Sequence, residues 1–106
     1  VQVNVSGEAS KSGCAPDQAL ALCRAVAALP GLQLRGLMAI PEASDDMAAQ
    51  RIPFRKLREL SEQIRTAGVP LDTLSMGMSH DLEAAVAEGA TIVRIGTAIF
   101  GERNYA

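Results

Sequence analysis

Hydrophobic and polar positions alternate from the first residue of the chain. In "VQVNVS", Val1, Val3 and Val5 fall on one face and Gln2, Asn4 and Ser6 on the other, the period of a β-strand. The strand is already under way at its first residue, so further chain is expected before it. After the loop "GEASKSGCA", the stretch "PDQALALCRAVAAL" places Ala19, Leu22, Cys23 and Val26 at the i, i+3, i+4, i+7 spacing of one helical face. Pro16 suits its first turn, and Pro30-Gly31 stops it. "LRGLMAI" predicts a second strand that ends at Pro41. A helix then runs to about Thr66 with Phe54, Leu57, Leu60 and Ile64 on one side. Pro53 is expected either to kink this helix or to mark its true start, and Gly68 to close it. "LDTLSMGMS" is the third predicted strand, with Ser79 as the cap of the next helix and Asp81 and Glu83 in its first turn. Leu82, Ala85 and Val86 are its expected apolar stripe, with Gly89 at its end. "TIVRIGTAIFG" reads as a fourth strand and its turn.

Strands alternating with helices imply right-handed crossovers and a parallel sheet. Four such βα units make either a small open sheet or half of an eight-stranded barrel. Strands buried on both faces are almost continuously apolar, and these are not. One face carries Gln2, Asn4, Ser6, Ser75, Gly77, Arg94 and Gly96, while the other carries Val, Leu, Met and Ile. Helices on one side and a ligand-lined interior on the other favour the barrel. The expected fold is therefore α/β, four parallel βα units forming the C-terminal half of a (β/α)8 barrel, with residues 1–106 as a single partial domain. Such a half exposes two sheet edges, and a partner supplying the missing N-terminal half, in cis or in trans, is expected.

Composition narrows the function. Aromatic residues make up 3% of the chain, there is no Trp, and the net charge is −2 with no basic run. Nucleic acid is not an expected partner. No apolar run approaches the roughly 18 residues of a spanning helix, so no membrane partner is expected either. Cys14 and Cys23 fit no metal spacing, and Cys23 falls on an apolar helix face as a small hydrophobe. A reducing, cytoplasmic setting suits them.

The chemistry concentrates in two stretches. In "RIGTAIFG", Arg94 interrupts an apolar strand and needs an acceptor, either the carboxylate of a structural salt bridge or a ligand. Gly96-Thr97 then offers backbone N–H groups, a close-approach glycine and a hydroxyl at a strand end, the makings of an anion site. Alone, that pattern is common. In barrels, however, phosphate binds at the loops after the last two strands, and the preceding strand ends in "SMGMS". Ser75 and Gly77 there keep the mouth open, while Leu74, Met76 and Met78 are expected to pack outward. His80, the only histidine, reads as a surface residue. Lys11 and Lys56 are the only lysines. Lys56 is expected to be solvated, and Lys11, in a loop after the first strand, is placed to reach a ligand but reads first as loop structure. No pair of carboxylates is singled out as acid and base.

"VNVSGEASKSG", "LRGLMAIPE" and "LDTLSMGMSHDLEAAVAEGATIVRIGTAIFGERNY" resemble the C-terminal half of the pyridoxal phosphate homeostasis proteins over essentially the whole chain. The resemblance implies the barrel of the alanine racemase type without its second domain. It also implies a non-catalytic cytoplasmic carrier of pyridoxal 5′-phosphate (PLP), held through a Schiff base to a lysine. That lysine is expected in the missing N-terminal half, since neither Lys11 nor Lys56 matches its motif. Carried over by motif, Ser75, Gly96 and Thr97 hold the phosphate, Arg94 approaches the pyridine nitrogen and Met38 lines the cofactor pocket. An arginine can only donate, so it leaves that nitrogen unprotonated and weakens the cofactor as an electron sink.

Two rival readings share these residues. One is a PLP-dependent racemase or decarboxylase of the same barrel type, which takes a catalytic residue from a second domain. The other is a different phosphate-binding barrel enzyme in which Ser75 and Thr97 hold a sugar phosphate.

Overall fold

A computed structural model of the chain describes residues 1–7 and 12–102. Among them, two regular strands, β1 (Gly36–Met38) and β2 (Thr73–Ser75), pair in parallel with Gly36 opposite Thr73, Leu37 opposite Leu74 and Met38 opposite Ser75. Single parallel bridges add a segment on each side: Gln2 pairs with Met38, and Ser75 with Ile92. The four strands expected from the pattern are thus two strands and two bridged segments. The outer segments have few ladder partners. Val3 N–H donates to Met38 O at 2.8 Å and Met38 N–H to Val1 O at 2.9 Å, but Asn4 N–H turns away to Cys14 O at 2.9 Å. Val3 and Cys14 form a parallel bridge of their own, so residues 12–14 cover part of an edge expected to lie open. Gly36 is required by close approach, since a Cβ there would meet the Thr73 carbonyl oxygen at 1.8 Å.

A short 3-10 turn, Pro16–Gln18, leads into α1 (Ala19–Ala27). α2 (Met47–Thr66) starts at Asp46, whose carboxylate accepts the Ala48 N–H at 3.2 Å. Pro53 neither begins nor ends α2; the helix continues through it, leaving the carbonyl of Ala49 without its usual donor. α3 is Leu82–Ala87, and α4 is the four-residue helix Thr97–Phe100, where a strand end and turn were expected.

The core lies between the sheet and the helices. Val3, Val5, Leu37, Ala39, Leu74 and Met76 from the strand segments pack with Ala19 and Cys23 of α1, Phe54, Leu57 and Ile64 of α2, and Ala84 and Ala85 of α3. The predicted stripe of α2 holds, with Leu60 at its half-buried margin. That of α3 is rotated: Val86 is 57% exposed, and the small Ala84 and Ala85 face inward. α1 likewise buries Ala19 and Cys23 while Leu22 stays exposed, and Met78 is exposed rather than packed outward. Gln2, Met38 and Ser75, which share the opposite sheet face through their register, are only half-buried.

Candidate strand-end site

Strand ends and the loops behind them bring the predicted chemistry together in part. Arg94 is positioned by its backbone: its N–H donates to Gly77 O at 2.9 Å, continuing the alignment set by Met76 N–H on Ile92 O at 3.1 Å. Its guanidinium reaches across that segment and donates from Nη2 to the Ala39 carbonyl at 3.3 Å. Arg94 therefore lies beside the residue that follows Met38. Among the described residues it has no carboxylate partner, so the structural salt bridge weighed from the sequence is not seen. Its Nε is buried with no hydrogen-bond partner. A buried, unpaired donor on a charged group is uncommon, and it suits a ligand that brings its own acceptor.

Gly77 plays a different part from the one its size suggested. Its φ is +105°, and a Cβ would lie 2.6 Å from the Cβ of Ala85. The glycine lets α3 close onto the strand rather than leaving a mouth open. A Cβ on Gly96, by contrast, would meet nothing within 4 Å.

Ser79 is the residue that sequence reasoning misplaced. It does not cap α3, whose N-cap position is Asp81 and which has no side-chain cap. Its Oγ instead accepts the N–H groups of Gly96 at 3.2 Å and Ala98 at 3.1 Å. The serine thus gathers the amides that flank Thr97 into one donor cluster. Asp81, nearly buried, accepts the Met78 N–H at 2.7 Å and fixes the turn that presents Ser79. The letters "SMGMS" carried the serine, but only the fold shows that its hydroxyl faces a segment 17 residues later.

Ser75 and Met38 are neighbours in register. Both border a cavity of about 320 Å³ that is lined mainly by the segment leading into β1, residues 32–37, with Val1, Val26 and Thr73, and that none of Arg94, Gly96 and Thr97 reaches. Among the described residues, no hydrogen bond joins Ser75 to Gly96 or Thr97. Thr97 is exposed at the start of α4.

The other candidates stay peripheral. His80 is half-exposed, with Nε2 3.7 Å from Asp81 Oδ2. Lys56 is exposed at the rim of a cavity with Ser6, Glu42 and Pro53. Lys11 lies outside the described residues. Burial pushes the Cys23 thiol up from its ordinary pKa, which keeps it an unreactive packing residue. Among the described residues no acidic, histidine or cysteine cluster suits a metal ion, and no helix is long and apolar enough to cross a membrane.

Glu88 is the second residue the sequence did not single out. It is 1% exposed, and its carboxylate pairs with Arg51 at 2.7 Å, Arg55 at 3.3 Å and Arg58 at 3.2 Å. Burial pushes its pKa up most strongly, but hydrogen bonds from Arg51 and Arg55 outweigh it and hold the carboxyl below the ordinary range. Arg51, Arg55 and Arg58 recur at i, i+4, i+7, a signal visible in the sequence once a buried acid is known to face it.

Comparison with known proteins matches this geometry to a family. The family described as alanine racemase, N-terminal domain, covers residues 1–104. A pyridoxal phosphate homeostasis protein of Pseudomonas aeruginosa is 64% identical over 105 residues, covering 99% of this chain and 44% of its own length. PipY of Synechococcus elongatus solved without PLP superimposes with a TM-score of 0.86 at 35% identity, covering 95% of this chain and 48% of PipY. The PLP-bound form of PipY gives 0.78 at 32% identity, over 94% of this chain and 49% of PipY. The chain thus spans less than half the length of the relatives named here.

Proposed function

The chain belongs to the alanine racemase N-terminal domain family, and from that premise we propose that it is the C-terminal half of a PLP-binding barrel, four βα units that close onto an N-terminal half. The proposed function of the whole protein is intracellular PLP homeostasis, as a cytoplasmic carrier rather than a catalyst. Support comes from the names of its relatives and from the PLP-bound state of PipY.

In this reading the cluster of Gly96, Thr97 and Ala98 holds the phosphate. Backbone N–H groups already converge there on one oxygen, that of Ser79. A hydroxyl that accepts two bonds still has its own proton to donate, so Ser79 joins Gly96 and Thr97 as a phosphate ligand, with Ser75 on the adjacent strand. Met38 lines the pocket beside Ser75. The observation that carries the reading is the buried, unpaired Nε of Arg94. The pyridine nitrogen supplies the missing acceptor. The cofactor brings electron-sink chemistry when bound, and a donor-only arginine at the ring nitrogen restrains it, which suits storage and delivery. The lysine that holds PLP covalently belongs to the N-terminal half.

The full-length protein containing this chain is expected to bind one equivalent of PLP in equilibrium dialysis and to show no racemisation of alanine. Failure to bind PLP contradicts the reading, and racemisation at an enzyme-like rate favours the racemase alternative.

A further inference from the structure

Away from the strand ends, one group of charges is out of balance. Glu88 supplies a single carboxylate to three guanidinium groups. Oε2 accepts from Arg51 Nε at 2.7 Å and Arg55 Nη2 at 3.3 Å, and Oε1 pairs with Arg58 Nη1 at 3.2 Å. Among the described residues these arginines form an ion pair with no other acid, although Glu59 and Glu62 stand one turn on from Arg55 and Arg58 along α2, so three guanidinium groups share one carboxylate. Each guanidinium carries five N–H donors and spends few of them here. The arginine side chains are 39%, 50% and 37% exposed. Their spare donors therefore reach solvent around the point where Glu88 gathers them. Glu88 also follows the last residue of α3, an end where the helix dipole disfavours negative charge. Its placement is explained by the arginines and not by its own helix.

We infer that Arg51, Arg55 and Arg58 form a second anion site, one that takes a phosphate dianion, either free or as a phosphomonoester. A planar guanidinium matches two phosphate oxygens at once. A dianion adds negative charge where one carboxylate serves three guanidinium groups, and Glu88 from beneath fixes the arginines in one orientation before the ligand arrives. The site uses none of the residues assigned to PLP and does not depend on that assignment.

The test titrates inorganic phosphate, and separately glycerol phosphate, into the full-length protein at low ionic strength, with and without saturating PLP, and follows the phosphorus resonance. Saturable binding that persists with PLP present is expected. Tighter binding of glycerol phosphate than of the free ion would identify a phosphomonoester as the ligand, and the reverse order the free ion. Arg55→Gln weakens binding about fivefold, the scale of a half-exposed charge pair. Arg24→Gln on α1, which removes an equal charge outside the cluster, leaves it unchanged. Non-saturable phosphate, or equal binding by the parent and Arg55→Gln, overturns the inference and leaves the cluster as a structural clamp.

Discussion

The hydroxyl oxygen of Ser79 accepts the Gly96 N–H at 3.2 Å, tying the turn before α3 to the start of α4. With the Ala98 N–H at 3.1 Å on the same oxygen, one side chain sets the direction of two amides. Ser79→Ala removes this tie and the donor proton. In the full-length protein it is expected to raise the Kd for PLP roughly three- to tenfold, the scale of one or two net hydrogen bonds. The melting temperature should change little, because both amides are exposed and water replaces the hydroxyl. Equilibrium dialysis beside a thermal melt separates the two effects.

Gly77 tolerates no side chain. Alanine there meets Ala85 at 2.6 Å in a backbone with φ of +105°. Left-handed strain and overpacking together cost roughly 2–4 kcal/mol. Gly77→Ala is expected to lower Tm by roughly 5–15 °C in the full-length protein. An unchanged Tm contradicts the packing role assigned to Gly77.

Much of this fold was legible in the sequence, and the limits have physical causes. The long stripe of Phe54, Leu57, Leu60 and Ile64 fixed α2, because about three turns of period 3.6 admit few alternatives. Two-sided strands told the sheet's buried face from its half-exposed one. α3 was less legible, since a six-residue helix of mostly alanine carries little amphipathic signal. Its inward face was set by the notch at Gly77, and that left Val86 outside. Gly96 and Arg94 drew attention in the sequence because a glycine at a predicted strand end and a charge within an apolar run are conspicuous locally. Ser79 and Glu88 act through partners distant in sequence, Glu88 at 30 to 37 residues, and no local pattern reports such a contact.

Glu88 gives the protein an acid-sensitive contact. Its folded-state pKa is depressed, so its contribution is fully present above the unfolded carboxyl value of about 4.3 and is lost as pH falls from there through the folded value. Glu88→Gln is expected to lower stability at pH 7 by about 1.5–3 kcal/mol. The gap between variant and parent should narrow as the pH drops below about 4.3. Urea denaturation midpoints between neutral and acid pH test this. A gap that stays constant places the stabilisation elsewhere.

Arg94→Gln should leave the phosphate grip largely intact while changing the cofactor's electronic state. The expected result in the full-length protein is a shifted absorbance maximum of bound PLP with less than about a fivefold change in Kd, the lower end of what a lost charged donor costs at a partly solvated site. An unshifted spectrum contradicts the placement of Arg94 at the ring nitrogen.

The most direct test of the proposed PLP site is Thr97→Val in the full-length protein. Valine keeps the shape of threonine and removes only the hydroxyl. One charge-assisted hydrogen bond to phosphate is worth about 1.5–3 kcal/mol. Equilibrium dialysis is therefore expected to show PLP bound roughly ten- to a hundredfold more weakly, with the fold retained. PLP bound as tightly as by the parent contradicts the assignment of the phosphate to Gly96 and Thr97, and "RIGT" is then a packing motif.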